Sequence, residues 1–203
     1  MSLIEFKNIS KKYGPKLALD DISIKFEKGK IYGLLGPNGS GKTTIIKIIN
    51  DLLNPTSGEV LINGKRPGVE SKKVISYLPE RTYLNMNIKV KELIAYFKDF
   101  YSDFDENKAI SLLERLKISL NDKLKTMSKG TKEKVQLVMV MSRNAQIYIL
   151  DEPIGGVDPA SRDFILDVIL KNYNKDASVI ISTHLISDIE KILDNIIFIK
   201  DGK

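Results

Sequence analysis

One stretch limits what this chain can be: Gly36-Pro37-Asn38-Gly39-Ser40-Gly41-Lys42-Thr43-Thr44. The apolar run Ile31-Tyr32-Gly33-Leu34-Leu35 precedes it and an Ile-rich run from Ile45 to Leu53 follows, so it reads as strand, glycine loop, helix. It fits the phosphate-binding pattern G-x-x-x-x-G-K-[ST] at every position. Glycines allow backbone N–H groups to curl around phosphate oxygens without a Cβ in the way, and the following helix aims its positive end at the same place. Lys42 is then spaced to reach the β- and γ-phosphates, and the Thr43 hydroxyl to reach a bound Mg²⁺. The plainer alternative is a glycine turn before a helix, but it does not by itself call for the flanking strand and helix, and both are present.

A chain of 203 residues is long enough for a substantial core, with 42% hydrophobic and 29% charged residues. It has no cysteine, which excludes disulfides and thiolate metal sites, and one histidine cannot build a histidine-rich metal centre. No apolar run approaches the roughly 18 residues of a membrane span. Residues Met1 to Ser10 lack the basic-then-apolar order of a secretory signal, so a reducing, cytoplasmic setting is expected. The net charge of +6 favours polyanions, but the lysines are scattered along the chain and read as solvated faces; no nucleic-acid partner is expected.

Ile4–Ile9 and Leu17–Phe26 alternate apolar with polar residues, the pattern of half-buried antiparallel strands. Lys11 to Pro15 is expected to form the turn between them. It carries Tyr13, which serves either as a packing residue or as a platform for a nucleotide base. The helix after Thr43 is expected to run to about Leu53, before Pro55. Gly58 to Lys65 gives a strand closed by Asn63-Gly64, and Val74 to Leu78 another that runs into Pro79-Glu80-Arg81. From about Ile88 the period changes: Val90–Tyr101 and Glu106–Ile118 space apolar residues at three and four, with Asp103 or Asp105 as candidate N-cap. A polar turn, Met127-Ser128-Lys129-Gly130-Thr131-Lys132, then opens a helix to Arg143, and its serine alone reads as a helix cap.

Ile147-Tyr148-Ile149-Leu150 has the character of a strand buried on both faces of a parallel sheet. It delivers Asp151 and Glu152 to the carboxyl edge, where open α/β sheets bind ligands. A turn through Gly155, Gly156 and Asp158 leads into a helix from Ala160 to Tyr173. The strand Ser178–Ser182 brings Thr183 and His184 to the same edge. A helix from Ile186 to Leu193 and a strand Asn195–Ile199 follow.

With these pieces in this order, the chain resembles the nucleotide-binding subunits of ABC transporters over essentially its whole length. Gly36–Thr43 looks like the Walker A loop and Ile147–Glu152 like Walker B. His184 matches the switch histidine, Asp158 the D-loop aspartate and Tyr13 the aromatic that stacks on adenine. Two places depart from the commonest pattern: Met127-Ser128-Lys129-Gly130-Thr131 stands for L-S-G-G-Q, and Glu80 for the Q-loop glutamine. Such variants are similar to those of ABC-2 type exporter ATPases. The chain also stops where relatives usually continue with a further strand and helix.

The resemblance implies an α/β fold, a P-loop NTPase core with a mainly parallel sheet. To this it adds an antiparallel β subdomain (mainly 1–30 and 58–66) and a helical subdomain (about 88–130), all within one ABC-type ATP-binding domain, 1–203. It implies ATP and Mg²⁺ as ligands. Tyr13, Gly36, Pro37, Asn38, Gly39, Ser40, Gly41, Lys42, Thr43, Thr44, Ser128, Gly130 and Asp158 would contact nucleotide; Thr43, Asp151 and Glu80 the metal. Glu152 would act as general base, with Lys42 and His184 assisting. Expected partners are a second copy or a homologous ATPase subunit and an integral membrane permease, placing the chain peripherally on the inner face of the cell membrane. The alternative class is a soluble ABC-type switch acting on the ribosome or DNA. Most such proteins carry two nucleotide domains or a long coiled-coil insertion, and this chain has neither. The intact Lys42, Asp151, Glu152 and His184 speak against a module that only binds.

Overall fold

The computed structural model describes residues 2–155 and 157–203. The chain begins with a hairpin, β1 (Ser2–Tyr13) and β2 (Lys16–Glu27), in which Tyr13 pairs with Lys16. The turn is therefore shorter than the sequence pattern suggests, only Gly14-Pro15, because the strand pairing carries on through Lys11 and Lys12. After β3 (Ile31–Leu35), the glycine loop and helix α1 (Lys42–Ile49), strand β4 (Ser57–Ile62) returns to pair antiparallel with β1, giving the sheet order β2-β1-β4. Asn63 and Gly64 have φ of 50° and 75°, the left-handed pair of a type I′ turn, and Ile62 and Lys65 exchange two hydrogen bonds across it.

Helix α1 stops four residues before the expected Leu53. Asp51 takes a left-handed φ of 55°; its N–H donates to the Ile48 carbonyl and that of Leu52 to the Lys47 carbonyl, the paired bonds of a Schellman stop. An aspartate fills the position where glycine usually announces such an ending. A short helix, α2 (Val69–Val74), which the apolar spacing does not reveal, then leads into β5 (Ile75–Leu78).

Three helices follow before the chain returns to the sheet: α3 (Val90–Phe100), α4 (Glu106–Arg115) and α5 (Lys129–Met141). Asp105 caps α4 by accepting from the Lys108 N–H at 2.9 Å, which decides between the two candidate caps. Asp103 serves instead as partner to Arg143, which is 3% exposed. The guanidinium donates to both Asp103 oxygens, at 2.9 and 3.1 Å, and to the carbonyls of Ile75 and Lys73, and it lies 3.8 Å from the centre of the Tyr101 ring. This side chain pins the end of α5 to the start of β5. A buried ion pair needs such complete hydrogen bonding to offset its desolvation.

The remaining elements are β6 (Ile147–Asp151), α6 (Pro159–Asn172), β7 (Ser178–Thr183), α7 (Ile186–Ile189) and β8 (Asn195–Phe198). The expected helix to Leu193 is α7 followed by a 3-10 turn at Glu190–Ile192. Strands β5-β6-β7-β3-β8 form one parallel sheet. Every residue of β3, β6 and β7 is buried. Alternate side chains join two separate cores: Ile147 and Ile149 pack with α1 and the antiparallel arm, while Tyr148 and Leu150 pack with the helices opposite. Burial on both faces explains the unbroken apolar runs in these strands. Among the described residues no helix is long and apolar enough to cross a membrane.

Candidate nucleotide site

The glycine loop takes backbone angles that L side chains rarely adopt. Gly36 has φ 151° and Gly41 φ 118°. A Cβ on Gly36 would lie 2.1 Å from the Ile199 carbonyl oxygen, and one on Gly41 would lie 2.9 Å from the Ala18 carbonyl oxygen. Both positions are thus fixed by neighbouring backbone as well as by conformation. Gly39 (φ 81°) is left-handed in open space, so there the angle alone requires glycine. Gly41 forms the N-cap of α1 with no side-chain hydrogen bond, and no acidic residue occupies the first turn. The amides at the positive end of α1 are therefore left to an anionic ligand. Lys42 is 6% exposed at its side chain; it donates to the carbonyls of Gly36 at 2.7 Å and Pro37 at 3.3 Å.

The ends of β6 and β7 face this loop. Their register sets Asp151 beside Ser182, whose hydroxyl donates to the Asp151 carboxylate at 2.5 Å. Burial raises the Asp151 pKa above the usual aspartate value. Hydrogen bonds from Ser182 and Thr43 oppose the shift, and the charges of Glu80 and Glu152 add to it. Thr43, Asp151 and Glu80 together are hard oxygen donors, the chemistry that Mg²⁺ prefers. Among the described residues no three His, Cys, Asp or Glu side chains cluster as a metal-holding group. Two carboxylates and a hydroxyl suit a metal that takes its other ligands from phosphate and water.

Glu152 is the strained residue of the site, with φ 51°. Its N–H donates to the Ser182 carbonyl at 3.0 Å, which holds the backbone in this left-handed turn. A non-glycine residue there costs about 1–3 kcal/mol and persists where the surroundings impose it. The turn sends the carboxylate back across the strand ends: one oxygen lies 3.6 Å from the Lys42 ammonium and the other 3.0 Å from His184 Nδ1. Lysine, carboxylate and imidazole, from three separate elements, form one chain of contacts. A carboxylate so placed beside a phosphate-binding loop can accept a proton from water.

These groups open into a cleft of about 1120 Å³. From the sequence-predicted set, Tyr13, Asn38, Gly39 and Gly41 to Thr44 line it on the loop side, and Glu80, Asp151, Glu152 and His184 on the strand side. Gly36, Pro37 and Ser40 do not line it. Tyr13 is 46% exposed, with the Lys11 ammonium 5.4 Å from its ring centre. Ser128, Gly130 and Asp158 do not line this cleft, and Gly156 lies outside the described residues. The Ser128 hydroxyl caps α5, accepting from the Thr131 N–H at 3.1 Å. Its neighbours Lys129 and Lys132 do reach the cleft, as do Lys16, Arg81 and the buried Gln136. None of these stood out in sequence as a cleft residue of its own chain, since each is an ordinary polar residue in a charged or helical stretch.

The ABC transporter family profile matches residues 19–155. The chain is 36% identical over 205 residues to an uncharacterized ABC transporter ATP-binding protein of Methanocaldococcus jannaschii, covering 98% of this chain and 75% of that one. It is 32% identical over 209 residues to the SkfA peptide export ATP-binding protein SkfE of Bacillus subtilis, covering all of this chain and 87% of the relative. Among solved structures, an ATP-binding subunit of an ABC transporter superposes with a TM-score of 0.89 at 29% identity, over 99% of this chain and 87% of that one. A dimeric bacterial ABC transporter cassette gives 0.85 at 25% identity, over 98% and 95%.

Proposed function

Since the chain belongs to the ABC transporter family as an ATP-binding, ATP-hydrolysing subunit, we propose that Glu152 drives its chemistry from between Lys42 and His184. The contact chain among these three groups is the observation that carries this assignment. ATP lies with its phosphates on the amides of Gly39 to Thr44 and its base against Tyr13. Lys42 leaves its carbonyl partners to hold the β- and γ-phosphate oxygens. Thr43, Asp151 and Glu80 would hold Mg²⁺, which would supply charge neutralisation at the phosphates. Glu152 takes a proton from water as the water oxygen bonds to the γ-phosphorus and the bond to the ADP oxygen breaks. His184 keeps the carboxylate and that water in line. General-base assistance of this kind is worth about 10²–10⁴ in rate.

We take residues 1–203 as one ATP-binding domain. Ser128, Gly130 and Asp158, which do not line the cleft of their own chain although Lys129 between the first two does, serve the nucleotide of a second copy or a homologous subunit, packed head to tail. The dimeric cassette among the structural neighbours supports this arrangement. The loop around Glu80 and the helices from Val90 to Ile118 then meet a membrane-embedded permease and hold the subunit at the inner face of the membrane. Supporting this, the aromatic side chains of Tyr83, Tyr96 and Phe100 are exposed, with the Tyr96 and Phe100 rings 4.6 Å apart. The peptide-export name of one relative favours an exporter. Action as a soluble switch on the ribosome or DNA gains no support from these relatives.

Glu152→Gln tests the central assignment. The variant is expected to bind MgATP, accumulate as a dimer by light scattering, and lose about 10²–10⁴ in turnover. Turnover at the unsubstituted level would remove Glu152 from the role of base.

A further inference from the structure

The base platform and the phosphate loop belong to different layers of the protein, and a small turn joins them. Lys200 and Lys203 exchange two backbone hydrogen bonds of 2.9 Å around Asp201 (φ 50°) and Gly202 (φ 77°), a type I′ turn directly after β8. From this turn the Gly202 N–H donates to the Ser40 carbonyl of the loop at 3.0 Å. The Gly202 carbonyl accepts from the Asp20 N–H of β2 at 2.8 Å. Lys203 adds an ion pair to Asp20 at 3.1 Å. One peptide unit on each side of a single glycine thus ties the arm that carries Tyr13 to the loop that carries Lys42. Ile199, just ahead of the turn, presses its carbonyl against Gly36.

We propose that Gly202 is a positioning residue that sets the span between Tyr13 and the phosphate loop, and so the fit of a nucleoside triphosphate as opposed to a bare polyphosphate. Only glycine serves here. A Cβ would lie 2.8 Å from the Ala18 carbonyl oxygen and 3.1 Å from its carbon, both backbone atoms of β2, in a left-handed conformation. The collision is with the arm and not with the loop. A substitution therefore pushes β2 away from the turn, while the loop keeps its contacts with β3 and α1. A ligand that must touch both layers is sensitive to displacement on the order of 1 Å. One that touches only the loop is not.

The proposal rests on Tyr13 being the base platform, so the experiment uses two probes on the full chain: MgATP and magnesium tripolyphosphate, each titrated calorimetrically. Gly202→Ala is expected to weaken MgATP about tenfold and tripolyphosphate less than about threefold, as displacement of one of two contact regions implies. Gly202→Asn, whose residue tolerates the left-handed angle, gives the same split if the alanine variant does not fold. Equal weakening of both probes, or of neither, overturns the proposal. Tyr13→Ala separates the two ideas: if it leaves MgATP affinity unchanged, the base-platform reading fails. If it weakens MgATP while both Gly202 variants are silent, only the role of Gly202 fails.

Discussion

Helices α1 and α5 both begin with a lysine, Lys42 and Lys129, and differ in what each end has already done with its amides. The start of α1 has a glycine cap with no side chain, and its lysine is buried against two carbonyls and 3.6 Å from a carboxylate. The start of α5 is closed by its own serine, and its lysine is 89% exposed with Glu133 at 3.8 Å. A cation at a helix N-terminus is unfavourable to the dipole unless an anion joins it. The first end is built around that anion; the second is complete without one. The amides at the first end are open within the single chain, whereas a ligand at the second would have to displace the hydrogen bond between Ser128 and Thr131.

The largest effect should come from breaking the prepared end. Lys42→Ala removes charge-assisted contacts and is expected to weaken MgATP about 10²-fold in a direct titration; unchanged affinity would defeat the loop assignment. At the other end, Ser128→Ala removes the cap and should lower stability by about 1 kcal/mol in denaturant melts. It should slow turnover without altering the affinity of the isolated subunit. Ser128→Asp sharpens this, since aspartate caps as well as serine but brings negative charge toward a phosphate. Stability should hold while turnover falls. Stability and turnover that move together in both variants would reduce Ser128 to a cap. The smallest effect belongs to Lys129→Gly. A few-fold slower hydrolysis at unchanged affinity places this lysine at the partner's nucleotide, and no change at all leaves it in solvent.

How much was legible follows the same physics. The sheet strands announced themselves because burial on both faces leaves unbroken apolar runs, Ile147–Leu150 in β6 and Val179–Ile181 in β7. The loop announced itself because three of its angles demand glycine. The end of α1 did not, since Asp51 adopts an angle that sequence readers associate with glycine, and Pro55 drew attention four residues too late. Helix α2 stayed hidden because only Ser71 of its six residues is buried, leaving no apolar period to detect. The motif residues that line the cleft, from Tyr13 and the glycine loop to Asp151, Glu152 and His184, could be singled out in advance. Their wiring could not: the φ of Glu152, its contact with His184, and the joining of β2 to the loop through Gly202 depend on backbone paths that no spacing in the sequence encodes.

The clamp at Arg143 has a geometric consequence. Four hydrogen bonds, to the Asp103 carboxylate and the carbonyls of Lys73 and Ile75, and an aromatic ring fasten one end of α5, while the Ser128 end lies 13 helical residues away, about 20 Å at 1.5 Å per residue. Tilting such a rod by 10° about its fastened end carries the tip through about 3.5 Å, the width of a hydrogen bond made or lost. A modest pivot at a fixed hinge can therefore engage or withdraw the serine tip, and a force applied to the helices between them has a lever on which to act.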